Sequence, residues 1–233
     1  MKQPILSCEA LYKSYGVSPV LENLHLALEA GETVGLLGPN GSGKTTIIKL
    51  AAGLLVPDSG KIEIAGVAPS AATAAIVSYL PDRTAIPNDL TPRELVRLYA
   101  TMFPDFDEER ANALLTDLRV NTAKRMRSLS KGTREKVQLI LTMSRRARLY
   151  LLDEPIGGVD PATRDYILKT ILSSRTEGST VLISTHLIAD VEDHLDSFFF
   201  LSEGRIVAGG SVSAYKEETG TTLDEAFRRV FQC

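Results

Sequence analysis

The run Gly38-Pro39-Asn40-Gly41-Ser42-Gly43-Lys44-Thr45-Thr46 sets glycines around one lysine and two adjacent threonines. It fits the spacing G-x-x-x-x-G-K-[ST], in which glycines let backbone N–H groups turn inward around a polyphosphate. A helix beginning at Lys44 would add its N-terminal dipole to the same anion site. Lys44 is placed to neutralise the β- and γ-phosphates, and the Thr45 hydroxyl to ligate Mg²⁺. A second constellation follows much later. The apolar run Leu149-Tyr150-Leu151-Leu152 ends in Asp153-Glu154. A buried strand there would bring Asp153 beside the phosphate loop, where it can hold Mg²⁺ through water, and would place Glu154 as general base or as the group that polarises the attacking water. Alone, such an acid pair reads more simply as a strand leaving the core for solvent. The phosphate loop makes the catalytic reading the better one. No N-K-x-D guanine motif occurs, so GTP is disfavoured as the nucleotide.

These groups need a scaffold that brings distant strand ends together. Ile5–Tyr12 and Val20–Leu28 read as strands, broken by turn residues at Gly16, Ser18 and Pro19. Thr33–Leu37 is a short apolar strand feeding the glycine-rich loop, and a helix is expected from Lys44 to about Leu54. Strands are expected at Lys61–Ile64 and Ile76–Leu80. The pattern then changes. Thr91-Pro92-Arg93-Glu94 is a capping box with proline at the first helical position, and Leu95, Leu98, Tyr99 and Met102 continue one apolar face. Helices also fit Glu108–Leu118 and Lys131–Ala147. Residues 85–147 therefore read as a helical block set into an α/β chain. Strands return at Leu149–Leu152, Val181–Ser184 and Phe198–Leu201, with helices at Ala162–Ser173 and Leu187–Leu195 between them. That alternation predicts a mostly parallel sheet with crossover helices. Arg205–Val207 can close a hairpin, and residues 211–233 read as helical and solvated.

Composition narrows the classes. The chain has 233 residues, 44% of them apolar, enough to build a core without staples. With 26 Lys plus Arg against 29 Asp plus Glu, the net charge of -3 gives no basic excess of the kind a general nucleic-acid binder shows. Two cysteines, Cys8 and Cys233, make neither a disulfide framework nor a CxxC metal site, and two free thiols in a reducing compartment are expected. No run approaches a membrane span and Met1–Pro4 is not a signal peptide, so a soluble, cytoplasmic protein is expected, with any membrane role depending on a partner.

Taken together, these motifs resemble the ATP-binding subunit of an ABC transporter, in that family's order over residues 5–210. Leu129-Ser130-Lys131-Gly132-Thr133, with Ser130 lying 24 residues before Glu154, is similar to the family signature, usually LSGGQ. Gly157-Gly158-Val159-Asp160 resembles the D-loop, His186 the switch histidine that senses the γ-phosphate, and Tyr15 the aromatic that stacks on adenine, with Tyr12 as its competitor. The resemblance implies ATP and Mg²⁺ as ligands, the latter held by Thr45, Asp82 and Asp153. It implies an α/β fold, a P-loop NTPase core with an N-terminal antiparallel β subdomain and an inserted α-helical subdomain. Within one domain over residues 1–233, residues 1–84 and 148–210 would form the core, 85–147 the helical subdomain and 211–233 a helical tail. It implies a head-to-tail dimer with itself or a paralogous ATPase subunit, in which Ser130, Lys131, Gly132 and Thr133 complete the partner's site. Ser130 precedes a helix, so its hydroxyl and the neighbouring N–H groups form half of an anion site; an ordinary helix cap would look the same. Separate transmembrane permease subunits would dock on the helical block, and the chain would sit on the cytoplasmic face of the membrane, without nucleic acid. The branch most resembled is the exporters of drugs, peptides and antibiotics.

Two positions depart from the family pattern. Pro81-Asp82 stands where a glutamine usually follows the strand, adding a carboxylate near Asp153 and Glu154. Lys131 and Thr133 replace a glycine and a glutamine of the signature. These changes bear on the hydrolysis rate, so a nucleotide-dependent clamp with weak hydrolysis, or a soluble ABC-type ATPase without transport, stand as alternatives to the exporter motor. His25 and His194 read as surface residues and Phe198-Phe199-Phe200 as a buried strand. Lys124–Arg127 and Arg145–Arg148 read as solvated faces, or else as contacts with headgroups or a permease.

Overall fold

The computed structural model describes residues 3–231, apart from the side chains of Ala162 and Thr163. Cys233 lies outside them. Strand β1 (Leu6–Tyr15) pairs antiparallel with β2 (Ser18–Leu28) and with β4 (Ser59–Ile64), giving a three-stranded sheet ordered β2-β1-β4. The second half of β2 alternates as a half-buried strand must. Leu24, Leu26 and Leu28 face the core, while His25 and Ala27 face solvent.

The larger sheet has six strands in the order β5-β6-β7-β3-β8-β9. Its members are β3 (Thr33–Leu37), β5 (Val77–Leu80), β6 (Leu149–Asp153), β7 (Thr180–Thr185), β8 (Ser197–Ser202) and β9 (Arg205–Ser211). All neighbours are parallel except β8 and β9, which form the hairpin. Every residue of β3, β6 and β7 is buried, because a parallel sheet is covered on both faces. Successive side chains feed opposite layers. Leu36 and Leu151 join the layer with Ile47, Ile48 and Leu50 of α1 (Lys44–Ala51) and with the antiparallel sheet. Leu37 and Leu152 join the other layer, with Ile167, Leu168 and Ile171 of α6 (Pro161–Ser174).

Between β4 and β5 lies one turn of helix, α2 (Ala71–Ala74). Between β5 and β6 lie α3 (Pro92–Met102), α4 (Glu108–Asp117) and α5 (Lys131–Met143), with a 3-10 turn at Met126–Ser128. Their inward faces form a third apolar cluster around Leu95, Ala111, Leu115 and Val137. The capping box of α3 is present: Glu94 N–H donates to Thr91 Oγ1, and Thr91 N–H donates to Glu94 Oε2 at 2.8 Å.

Four expectations are corrected. The apolar stripe of α3 is divided: Leu95 is buried, whereas Leu98 is 37% and Met102 58% exposed, because α4 and α5 cover only one edge of it. The helix expected at Leu187–Leu195 is a single turn, α7 (Ile188–Val191), running into a 3-10 turn at Glu192–His194. The basic run at 145–148 is not a solvated face throughout. Arg145 is buried, forked onto Asp105 and donating to the carbonyls of Ala75 (3.0 Å) and Val77 (2.8 Å). The tail beyond 211 is helical, α8 (Val212–Thr219) and α9 (Leu223–Phe231), but α9 is no solvated appendage. Its Leu223, Ala226 and Phe227 are buried, and Phe227 packs edge-on against Phe200 of β8 with ring centroids 5.7 Å apart.

Candidate nucleotide site

Adjacent parallel strands β6, β7 and β3 end together, as open α/β sheets do where they bind ligands. The loop after β3 carries Gly38–Gly43, β6 ends in Asp153-Glu154, and β7 ends just before His186. A cavity of about 610 Å³ opens there, within the usual range for a small-molecule site. Asn40, Gly41, Gly43, Lys44, Thr45 and Thr46 form one wall, and Glu154, His186 and Asp82 face them.

The glycines have separate tasks. Gly43 precedes α1 with φ 109, a conformation open to glycine, and offers α1 no side-chain cap. The first N–H groups of α1 are therefore free for an anion. Gly38 is needed for space, since a Cβ there would lie 2.4 Å from the Leu201 carbonyl oxygen. Lys44 Nζ donates to the carbonyls of Gly38 (2.8 Å) and Pro39 (3.1 Å) and lies 3.4 Å from Glu154 Oε1. Burial lowers its pKa, and attraction to Glu154 opposes that shift without cancelling it.

Asp153 is buried at the end of β6. Its Oδ1 accepts from Ser184 Oγ at 2.7 Å and from Thr45 Oγ1 at 3.1 Å. Its Oδ2 is buried with no hydrogen-bond partner among the described residues. Burial is the main reason that its pKa is raised; the bonds from Ser184 and Thr45 oppose the shift, and the charges of Asp82 and Glu154 add to it. An unpaired carboxylate oxygen beside a hydroxyl fits a divalent cation such as Mg²⁺. No cluster of three His, Cys, Asp or Glu side chains arranged for a metal exists among the described residues. Such a cation would thus lean on substrate phosphates, as Mg²⁺ usually does.

Glu154 has φ 49, which costs a non-glycine residue about 1 kcal/mol. The turn is held by its N–H donating to the Ser184 carbonyl at 3.0 Å and by its own carbonyl accepting from Gly157 N–H at 3.0 Å. That turn aims the carboxylate back at the cavity. His186 Nδ1 lies 3.1 Å from Glu154 Oε2, a hydrogen bond when Nδ1 carries the proton. One carboxylate thus touches both the buried ammonium and the imidazole.

The remaining candidates lie around this centre. Asp82 is exposed, lines the cavity, and is near enough to Asp153 to raise its pKa. Ser130 is the N-cap of α5, its Oγ accepting from Thr133 N–H at 3.2 Å. Lys131 also lines the cavity and pairs with Glu135 at 3.7 Å, while Gly132 and Thr133 are half-buried behind it. Asp160 is exposed just before α6, its carbonyl accepting from Arg164 N–H at 3.2 Å. Tyr15 is 51% exposed at the end of β1 and is not among the residues lining the cavity, although Val20 is.

Sequence reasoning passed over Ser184, Val20 and Glu135. Ser184 is identified only by register: it stands opposite Asp153 in the β6–β7 pair. Val20 and Glu135 carry no motif, and only the fold brings them to the cavity.

Known proteins share both the pattern and the architecture. The ABC transporter family model matches residues 21–157. The ABC-type transporter ATP-binding protein EcsA of Bacillus subtilis is 32% identical, covering 96% of this chain and 95% of its own length. The daunorubicin resistance ATP-binding protein DrrA3 of Streptomyces coeruleorubidus is 30% identical over 94% of this chain and 72% of its own. A solved ATP-binding subunit of an ABC transporter superposes with a TM-score of 0.87 at 30% identity, covering 97% of this chain and 99% of that one. The chain is therefore a member of the ABC transporter family, an ATP-binding subunit that hydrolyses ATP.

Proposed function

We propose that this subunit powers an exporter of a drug, peptide or antibiotic, through ATP-driven head-to-tail pairing with a second copy or a paralogous ATPase subunit. One observation carries the catalytic half of this reading: Glu154 touches both Lys44 and His186 beside the unpaired Oδ2 of Asp153. The exporter half is supported by the likeness to a daunorubicin resistance protein. No described helix is long and apolar enough to cross a membrane, so the cargo path is assigned to separate permease subunits on whose cytoplasmic face this chain sits.

Each residue has a task in this reading. Tyr15 stacks on adenine. The N–H groups from Gly38 to Thr46 cradle the phosphates, and Lys44 neutralises the β- and γ-oxygens. Thr45, Asp153 and Asp82 would hold Mg²⁺. The ion, when bound, neutralises charge that builds on the phosphates. Glu154 takes the proton of the attacking water, and His186 orients Glu154 and senses the γ-phosphate. Ser130, Lys131, Gly132 and Thr133 close the partner's site, and Asp160 lies at the junction. Residues 1–84 and 148–210 act as the α/β core, 85–147 as a helical subdomain with its own apolar cluster, and 211–233 as the tail. Leu98 and Met102, exposed on α3, face the permease.

The test is coupled transport. Co-expressed with its permease, the wild-type subunit should drive a fluorescent anthracycline or a labelled peptide into inverted vesicles, and Glu154→Gln should abolish it. ATPase activity indifferent to the permease, with no transport, would favour a nucleotide-dependent clamp instead. Asp82 is the observation behind that second reading, since a third carboxylate crowds Asp153 and Glu154. If Asp82 serves the metal, Asp82→Asn relaxes the steep Mg²⁺ dependence of turnover; overlaying Mg²⁺ titrations would remove Asp82 from the metal site.

A further inference from the structure

Gln138 lies two turns into α5 and is 5% exposed, and nothing in the chemistry above uses it. Its carboxamide makes one donated and one accepted hydrogen bond to the loop that carries Asp82. Nε2 donates to the Pro81 carbonyl at 3.2 Å, and Oε1 accepts from Ala85 N–H at 2.9 Å. The two bonds flank Asp82 on either side. One turn further along α5, the Thr142 carbonyl accepts from Ser78 Oγ at 2.8 Å, so β5 and the following loop are tied to α5 at two levels. The same helix begins at Ser130, about 12 Å away along the axis at 1.5 Å per residue. Gln138 also lines the crevice where Asp82, Asp153 and Glu154 come together.

This arrangement answers an electrostatic difficulty. Asp82 is exposed, and its charge lies near enough to the buried Asp153 to be felt there. A loop held only by its ends would let it go. A buried amide with donor and acceptor both satisfied fixes those ends. Its loss would orphan the Pro81 carbonyl and the Ala85 N–H together. We propose that Gln138 is a positioning residue for ATP hydrolysis: by clasping Pro81 and Ala85 it keeps Asp82 aimed at the phosphate cavity and makes the Asp82 loop follow the helix that begins at Ser130. The inference rests on the reading of Asp82 as a carboxylate that serves the metal side of the site.

The test is a cycle of variants in the full chain, each assayed for thermal unfolding, ATP affinity, KM and kcat. Gln138→Met keeps the volume and removes both bonds. It should leave ATP affinity and KM unchanged and lower kcat about 10–100-fold, the usual cost of losing a group that orients a ligand. Asp82→Ala should show a similar fall, and the double variant should be no worse than either single. Gln138→Glu supplies a second readout. A buried carboxyl donates to the Pro81 carbonyl only when protonated. Its kcat relative to wild type should therefore rise as pH falls from about 8 to about 6. Wild-type kcat in Gln138→Met beside a damaged Asp82→Ala overturns the proposal. So does a double variant whose loss is the product of the singles, or a flat pH ratio for Gln138→Glu. Wild-type kcat in Asp82→Ala overturns the reading of Asp82 itself, and a loss in Gln138→Met alone would then mean that Gln138 does not act through Asp82. If Gln138→Met does not fold, the pH profile of Gln138→Glu decides.

Discussion

Replacing Glu154 by glutamine separates what this carboxylate does for binding from what it does for chemistry. Across the 3.4 Å between Glu154 Oε1 and Lys44 Nζ, an effective dielectric constant of about 20 gives roughly 5 kcal/mol of attraction. That attraction does not prevail, because burial still leaves the Lys44 pKa below its ordinary value. Lys44 also keeps its bonds to Gly38 and Pro39 when the charge of Glu154 is removed. The net loss of stability should be only about 1 kcal/mol, a fall in Tm of roughly 2–4 °C for a chain of this size. The Glu154 carboxylate sits against Lys44 as a stand-in for a phosphate anion. An incoming triphosphate must displace it, so Glu154→Gln should bind ATP at least as tightly as wild type. Turnover should fall by about 10²–10⁴, equivalent to roughly 3–5 kcal/mol in the barrier. Thermal melts, fluorescent-nucleotide titration and steady-state phosphate release read the three quantities, and on size-exclusion chromatography with ATP the variant should accumulate as an ATP-bound dimer. Turnover within tenfold of wild type, with binding intact, would remove Glu154 from the role of base. Weakened ATP binding would refute the stand-in argument.

Three further outcomes are expected. Mixing Ser130→Arg subunits with Lys44→Ala subunits leaves one intact composite site per heterodimer, so ATP-dependent dimers should form in the mixture and in neither parent; their absence would argue against a site shared between subunits. Arg145→Met deprives Asp105 and three backbone carbonyls of their donor and should cost about 3 kcal/mol, lowering Tm by roughly 6–12 °C in a thermal melt; a change below about 2 °C would show the fork to be dispensable. Burial pushes the Cys8 thiol up to about 12, so iodoacetamide near pH 8 should leave Cys8 unmodified in the native protein and alkylate it in urea, as mass spectrometry of the Cys8 peptide will report.

The parts of the site that were legible in the sequence are those whose geometry is local. The phosphate loop is one continuous turn, and an apolar run ending in two acids states its own direction. Ser184 was not legible because it meets Asp153 through strand register, which no spacing reveals. Arg145 was misread because neighbouring arginines suggested a solvated face, whereas the carbonyls of Ala75 and Val77 and the carboxylate of Asp105 receive its guanidinium inside. The stripe on α3 shows the limit of periodicity. It states which residues share a side of a helix, and neighbouring helices decide how much of that side they cover. The tail offered a signal that went unused: Leu223, Ala226 and Phe227 recur at helical spacing and face the sheet.

The place of β3 in its sheet bears on how the chain can be made. Its residues, 33–37, are made long before those of its neighbours, β7 and β8, at 180–185 and 197–202. A nascent chain halted before residue 180 has neither. Until then β3 is an apolar strand with both edges open, the kind of segment that chaperones hold and that aggregates when they do not. The phosphate loop hangs from the end of β3 and abuts the Leu201 carbonyl, so its contacts with the fold are complete only once β8 is in place. Ligand-driven stabilisation is therefore expected only once β7 and β8 have joined β3.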